Sequence, residues 1–335
     1  MTQPETAVVV PHPAVARPQI RVSESLGSFA VWTPSIETLA RKIREWIALD
    51  LPGGCVHGPQ RNGKTWAINY IIASASEFFS TRFLIVRIII PEGLSDRGNM
   101  IATEWLNQHG VIANTRDPAR LKRRLMEWLR ERMQATDAER LILIVDEAQN
   151  LSRAHHGQIM YWHNLCEEAS MRPFTLLVGQ PELGASAASY VEMNEIQLTG
   201  RFYERLHEFQ GIALAEVVKV LRAFQQPVLH EGVQQPCGLA RLFPDHWAGG
   251  WRVETWAPSI ENAVTALARA RSLPDVPRVP MMYLRAFVMG GLDEMKRTGR
   301  RIDVLSNDRL NALMASTGFS KSIDLYARRR PGPKS

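Results

Sequence analysis

The sequence predicts an α/β fold, a central parallel sheet flanked by helices and followed by a C-terminal helical lid. Three observations carry that expectation. Gly58-Pro-Gln-Arg-Asn-Gly63-Lys64-Thr65 matches the phosphate-loop pattern G-x-x-x-x-G-K-[ST]. Leu141-Ile-Leu-Ile-Val145 is an unbroken apolar run ending in Asp146-Glu147, the pattern of a strand buried on both faces. Strand-like runs alternate with helical stripes until about residue 215, after which only helical stripes recur.

In chain order, residues 1–28 are expected to form a loose arm, because Met1 to Arg21 is rich in Pro and Val and lacks a charged-then-apolar leader. A helix from Ile36 to about Leu49 follows, with Ile36, Leu39, Ile43, Trp46 and Ile47 on one face. Leu51-Pro-Gly-Gly54 breaks it, and Cys55-Val56 opens the first strand. Between that strand and the helical run Trp66–Ile72 lies the phosphate loop. A tight loop ending at a helix N-terminus aims backbone N–H groups and the positive end of the helix dipole at one anion. The expected nucleotide cradle is therefore Gly58, Pro59, Gln60, Arg61, Asn62, Gly63, Lys64 and Thr65. Lys64 would reach the β- and γ-phosphates of ATP, and the Thr65 hydroxyl would ligate Mg²⁺.

Phe83–Ile90 reads as the next strand, closed by Pro91-Glu92-Gly93, with helices over Asn99–His109 and from Pro118 to about Met133. At the end of the Asp-Glu strand, Asp146 is placed to hold Mg²⁺ and Glu147 to polarise a water for attack on the γ-phosphate. Ile159, Trp162, Leu165, Cys166 and Ala169 then recur at helical spacing. A further strand, Phe174–Val178, ends at Gly179-Gln180-Pro181. Gln180 is either a γ-phosphate sensor or only a turn residue before the proline. In the lid, Leu214, Val217, Val218, Leu221 and Phe224 form one helical stripe. Ile260, Ala263, Val264 and Leu267 form another, opened by Ser259 as its N-cap. Trp247, Trp251 and Trp256 read as packing for this lid. The expected division is a nucleotide core over 29–213, a lid over 214–318 and a basic disordered tail over 319–335.

Composition is that of an ordinary globular protein, with 45% hydrophobic and 22% charged residues in a chain of 335. No run approaches a membrane span, so no membrane partner is expected. Cys55, Cys166 and Cys237 lack metal-ligand spacing and suit a reducing cytoplasm. A net charge of +6 is compatible with an acidic partner such as nucleic acid.

An Asp-Glu strand separated from the phosphate-loop strand by an intervening β-α unit, with a helical lid after it, resembles the AAA+ class of P-loop NTPases. The phosphate loop, Ile144-Val-Asp-Glu-Ala-Gln149-Asn-Leu, Val178-Gly-Gln-Pro-Glu-Leu183 and Gly200-Arg201-Phe202 together resemble the transposition ATPases TnsC and TniB, over roughly residues 30 to 225. ExeA-type secretion ATPases share two of these motifs, so an AAA+ ATPase acting on protein partners is the alternative. Arg61-Asn62 departs from the Gly-Thr or Gly-Ser of many relatives; Arg61 either costs loop flexibility or adds a cation near the phosphates.

The resemblance implies a homo-oligomeric ring or filament on double-stranded DNA that recruits a transposase and is reset by ATP hydrolysis. It also implies a target-selecting adaptor, either an RNA-guided CRISPR-associated complex or a DNA-binding protein. It further implies an arginine reaching into a neighbour's site, Arg201 first and Arg205 second, unless these only pair with Glu204 or Glu208. For DNA, the helix from Pro118 carries Arg120, Lys122, Arg123 and Arg124, with Arg116 just before it, opposite an apolar stripe of Leu121, Leu125, Trp128 and Leu129. Arg97 lies in the loop after the second strand. These residues are either phosphate contacts or an ordinary solvated face.

Overall fold

The computed structural model describes residues 31–73, 82–112, 115, 117–225, 228–230, 233–235, 237–301 and 304–326. Among these residues five parallel strands form one sheet: β1 (Gly53–His57), β2 (Phe83–Ile89), β3 (Arg140–Asp146), β4 (Phe174–Gly179) and β5 (Leu206–Glu208), in the order β2-β3-β4-β1-β5. Every residue of β3 and β4 is buried, as the largely apolar runs Leu141–Val145 and Phe174–Val178 require. In register, His57 sits opposite Gly179, Val145 opposite Leu177 and Ile89 opposite Asp146. The C-terminal tips of β1, β4 and β3 therefore meet at one edge, with β4 between the other two.

β5 is the strand that sequence patterning leaves out. Leu206-His207-Glu208 has no apolar run to reveal it, and Leu206 is itself exposed. It is an edge strand held by backbone pairing to β1, where the Cys55 N–H donates to the Arg205 carbonyl at 2.8 Å. The other expected boundaries shift by one to three residues, as helix and strand ends usually do.

Helix Pro34–Ala48 buries Ile36, Leu39, Ile43, Trp46 and Ile47. The Trp46 ring lies against Gly54, where a β-carbon would meet it at 2.6 Å, so the glycine pair that ends the helix signal also admits the indole. Helix Pro118–Ala135 begins with Asp117 as N-cap, its carboxylate accepting from Ala119 N at 2.9 Å, and Pro118 in the first turn. It buries Leu121, Leu125, Met126, Trp128 and Leu129, each contributing on the order of 2 kcal/mol.

The chain divides into two compact units. The first comprises Leu39–Gln60 and Lys64–Phe209 among its described residues, and holds the sheet. The second comprises Gln210 onward together with Arg61–Gly63 and the described residues up to Thr38. Gln210 onward is mainly helical, with principal helices Val217–Ala223, Ala257–Ala270, Met281–Thr298 and Asn307–Ser316. It also contains an antiparallel pair, Val228–His230 with Val233–Gln235, which helical periodicity did not anticipate. Trp251 and Trp256 are buried with ring centroids 5.6 Å apart, the packing role expected of them. Ser259 does not cap its helix, which already starts at Ala257 with Pro258 in its first turn. The segment expected to be disordered from residue 319 is helical over Phe319–Ser322 and Ile323–Leu325, with Phe319 and Ile323 fully buried. The two apolar side chains outweigh the basic, Pro/Gly-rich composition that begins only at Arg328. Residues 1–30, the basic run 327–335 and Arg116 lie outside the described residues.

Candidate nucleotide-binding site

The phosphate loop leaves β1 and enters helix Lys64–Ala73. Gly58 must be glycine, because a β-carbon there would fall inside the Phe209 carbonyl oxygen. That contact is fixed by Phe209 N–H donating to the His57 carbonyl at 2.7 Å. Gly63 has φ +95° and Arg61 φ +66°, so the loop turns through the left-handed region twice. Arg61 pays a strain that glycine would avoid at this position. Its guanidinium donates to the Tyr283 hydroxyl and lies 5.5 Å from the centre of that ring, all within the second unit. Tyr283 in turn is bonded to Ser322 at 2.7 Å.

Lys64 Nζ donates to the carbonyls of Gly58 at 2.6 Å and Pro59 at 2.9 Å, which places its ammonium inside the loop. Burial pulls its pKa below the ordinary lysine value, against the opposing charges of Glu147, Asp146 and Glu182. Thr65 Oγ1 lies 3.4 Å from Asp146 Oδ2. A hydroxyl and a carboxylate converging beside a phosphate loop fit Mg²⁺, a hard cation that takes oxygen ligands and completes its shell with phosphate and water. Among the described residues no cluster of three or more His, Cys, Asp or Glu side chains could hold a metal alone, so the phosphates would be part of such a site.

Beyond β3 the backbone turns sharply. Glu147 has φ +55°, an uncommon conformation for a residue with a side chain. Its N–H donates to Asp146 Oδ1 at 2.9 Å. Gln149 holds the turn from the other side, its amide donating to Glu147 Oε2 at 2.6 Å and its carbonyl accepting from Gln180 N at 3.0 Å. Gly179 leaves room for it, since a β-carbon there would sit 2.7 Å from Gln149 Oε1. Gln180 caps helix Pro181–Glu192 in sequence position but makes no side-chain cap bond. Its side-chain carbonyl instead accepts from Gln60 Nε2 of the phosphate loop at 2.8 Å. The geometry thus brings together Gln60, Lys64, Thr65, Asp146, Glu147 and Gln180.

Two neighbours were missed. Arg87 on β2 donates to Asp146 Oδ2 at 2.5 Å and to Asn69 Oδ1 at 2.8 Å. An arginine interrupting Phe83-Leu-Ile-Val-Arg-Ile-Ile is the one signal that pointed to it. Gln149 had no signal of its own beyond its place in a motif.

Arg201 and Arg205 lie elsewhere. Arg201 sits in a π-helical turn, Thr199–Tyr203, bonded to Asn164 and 3.7 Å from Glu167. With Asp50, Pro52, Arg140, Arg172 and Pro173 it lines a depression of about 440 Å³ at the edge where β1, β3 and β4 begin. That is the edge opposite the phosphate loop. Arg205 pairs with Glu204 at 3.1 Å and donates to the Gly200 carbonyl. Arg120, Lys122, Arg123 and Arg124 are exposed on helix Pro118–Ala135, Arg120 facing Asp117 and Arg123 facing Glu127. Arg97 is exposed in the loop after β2, whose Ser95 and Asp96 are held by His155 and Ser152.

Residues 52–185 match the family model described as an AAA domain. The match spans the phosphate loop, the Asp-Glu strand and Gln180. The fold is that of an AAA+ P-loop protein. Among solved structures, the ORC2 protein of Aeropyrum pernix in its ADP form superposes with a TM-score of 0.50 at 14% identity, over 86% of this chain and 69% of that one. The Walker-type ATPase PABY2304 of Pyrococcus abyssi gives 0.46 at 15%, over 86% and 73%. Domain III of the replication initiation protein DnaA from Thermotoga maritima gives 0.45 at 12%, over 89% and 98%. No curated protein matches the chain in sequence. The first of these likenesses supports the same AAA+ fold, with its parallel sheet and C-terminal helical region. No helix among the described residues is long and apolar enough to cross a membrane.

Proposed function

We propose that this protein is a Mg²⁺-dependent AAA+ ATPase that assembles as a homo-oligomer on double-stranded DNA and regulates transposition. In this reading it recruits a transposase at a site chosen by an adaptor. Gly58–Thr65 hold the triphosphate, Thr65 and Asp146 hold Mg²⁺, Glu147 activates water, and Gln180 senses the γ-phosphate. Hydrolysis then disassembles the platform. The observation that carries the reading is the convergence of Lys64, Thr65, Asp146 and Glu147 at one sheet edge, with Arg201 at the other. A cation at the far edge cannot serve its own site, but it serves the next subunit's in a head-to-tail assembly. The transposition assignment rests on the likeness of the four motifs to TnsC and TniB. DNA contact rests on the exposed basic face of helix Pro118–Ala135 and on Arg97, which would follow phosphates without reading bases.

Electron microscopy of the protein on linear duplex DNA, with ATP, with a non-hydrolysable analogue and without nucleotide, tests this. Rings or filaments on DNA only with nucleotide are expected. Nucleotide-dependent rings that ignore DNA would overturn the DNA reading in favour of a protein-remodelling ATPase.

A further inference from the structure

Asp146 Oδ2 is shared. Thr65 Oγ1 approaches it at 3.4 Å, and Arg87 Nη2 donates to it at 2.5 Å. Asp146 is almost fully buried and Arg87 largely so, with side-chain exposures of 5% and 17%. The other carboxylate oxygen, Oδ1, is taken by the Glu147 N–H. Arg87 is not loosely placed. Its second nitrogen donates to Asn69 Oδ1 at 2.8 Å, one helical turn beyond Thr65 on the same face of helix Lys64–Ala73. Arg87 therefore ties β2, β3 and the phosphate-loop helix together through the oxygen that also faces Thr65.

A carboxylate in so dry a place is costly unless paired, and removing one partner of such a pair leaves an uncompensated charge. Arg87 supplies that pairing from the protein itself. A divalent cation held by Thr65 and Asp146 would bring further positive charge to the carboxylate that the guanidinium already pairs. Opposite signs then follow for two ligands. The guanidinium opposes the metal by like-charge repulsion. It favours phosphate binding without metal by cancelling the Asp146 charge that would otherwise repel the anion.

Resting on the nucleotide reading above, we infer that Arg87 is a resident counter-cation of Asp146. It competes with the divalent metal and lets the loop hold a nucleotide before the metal arrives. Arg87 is a positioning residue in this sense, acting through Asp146.

The test compares wild type, Arg87→Gln and Arg87→Lys. Metal-free ADP affinity is measured by calorimetry in excess chelator, and Mn²⁺ affinity of the ADP complex by the loss of the free-ion electron paramagnetic resonance signal. Circular dichroism and melting establish that each variant is folded. Arg87→Gln is expected to lose about tenfold in metal-free ADP affinity and to gain about tenfold in Mn²⁺ affinity. Arg87→Lys, which keeps the charge, should stay within about threefold of wild type on both. These shifts correspond to one charge–charge interaction of modest strength. A merely structural arginine would lower both affinities together. With wild type binding ADP, any result from folded Arg87→Gln other than the two opposite shifts overturns this inference alone. Wild type that binds ADP with Mg²⁺ but not in chelator also overturns this inference alone, whereas failure to bind ADP with or without Mg²⁺ removes the nucleotide reading and the inference with it.

Discussion

Gln60 donates its side-chain amide to Gln180 Oε1 at 2.8 Å, so the phosphate loop and the tip of β4 are joined directly across 120 residues of chain. The bond places Gln180 on the loop side of its strand, while its backbone N–H is held by Gln149. Gln149 also grips Glu147, so Glu147 and Gln180, the two residues expected to act at a γ-phosphate, share one network through it.

The first prediction concerns that network. Gln149→Ala removes the 2.6 Å donor of Glu147 and loosens a turn held at positive φ. The turnover number for ATP should fall roughly tenfold to a hundredfold through misplacement of the base, with nucleotide affinity changed by less than about threefold. Steady-state hydrolysis alongside a binding titration separates the two. Equal loss of affinity and turnover would show that Gln149 serves only the fold.

Glu147→Gln is isosteric and should keep nucleotide binding while slowing hydrolysis by about a hundredfold or more. Lys64→Ala should instead lose nucleotide binding itself, read by titration with a fluorescent ATP analogue. A Glu147→Gln protein that hydrolyses ATP at the wild-type rate would remove Glu147 from the role of base.

Gly58→Ala forces a β-carbon against the Phe209 carbonyl, a backbone atom that cannot swing aside. The expected cost is about 1–3 kcal/mol of stability, seen as a lower melting temperature, together with loss of nucleotide affinity. An unchanged melting temperature would mean that β5 does not run against the loop as described.

Stability should also fall on acidification. His156 and His163 are buried, and burial lowers each from 6.5 to about 4, helped for His156 by the nearby Arg153 and for His163 by Arg201 and Arg140. The unfolded chain takes up these protons near pH 6.5 and the folded chain only near pH 4. Stability is therefore full above pH 6.5 and is lost as the pH falls from 6.5 to 4, by about 3 kcal/mol per histidine. His163→Gln should lower stability at pH 7 yet shorten the acid loss by about half, measured by denaturant unfolding across that range. An unchanged slope would exonerate His163.

The parts of this molecule that were legible in sequence are those where one physical demand dominates. Double-sided burial wrote β3 as an unbroken apolar run and β4 as a run broken only by Thr175, and the G-x-x-x-x-G-K-[ST] spacing marked Gly58–Thr65 as a loop entering a helix. β5 was invisible because three backbone-paired edge residues need no particular side chains. The sequence also singled out Glu147, Gln180 and Asp146 as candidates but not what holds them, because Gln149 bonds the first two and Arg87 bonds Asp146 through contacts that join separate elements. Phe319 and Ile323 were hidden by the basic composition just beyond them, although both are fully buried in short helical turns.

The most direct test of the central claim, a site completed by the far edge of another copy, is ATP hydrolysis by a mixture of two inactive variants. Lys64→Ala lacks a working phosphate loop but keeps Arg201; Arg201→Ala is the reverse. In head-to-tail assemblies of equal amounts, which nucleotide-bound Arg201→Ala subunits must nucleate, at most about a quarter of the interfaces pair an intact loop with an intact arginine. The account predicts that the mixture recovers activity, up to about that fraction of wild type. A mixture no more active than its separate components would contradict it.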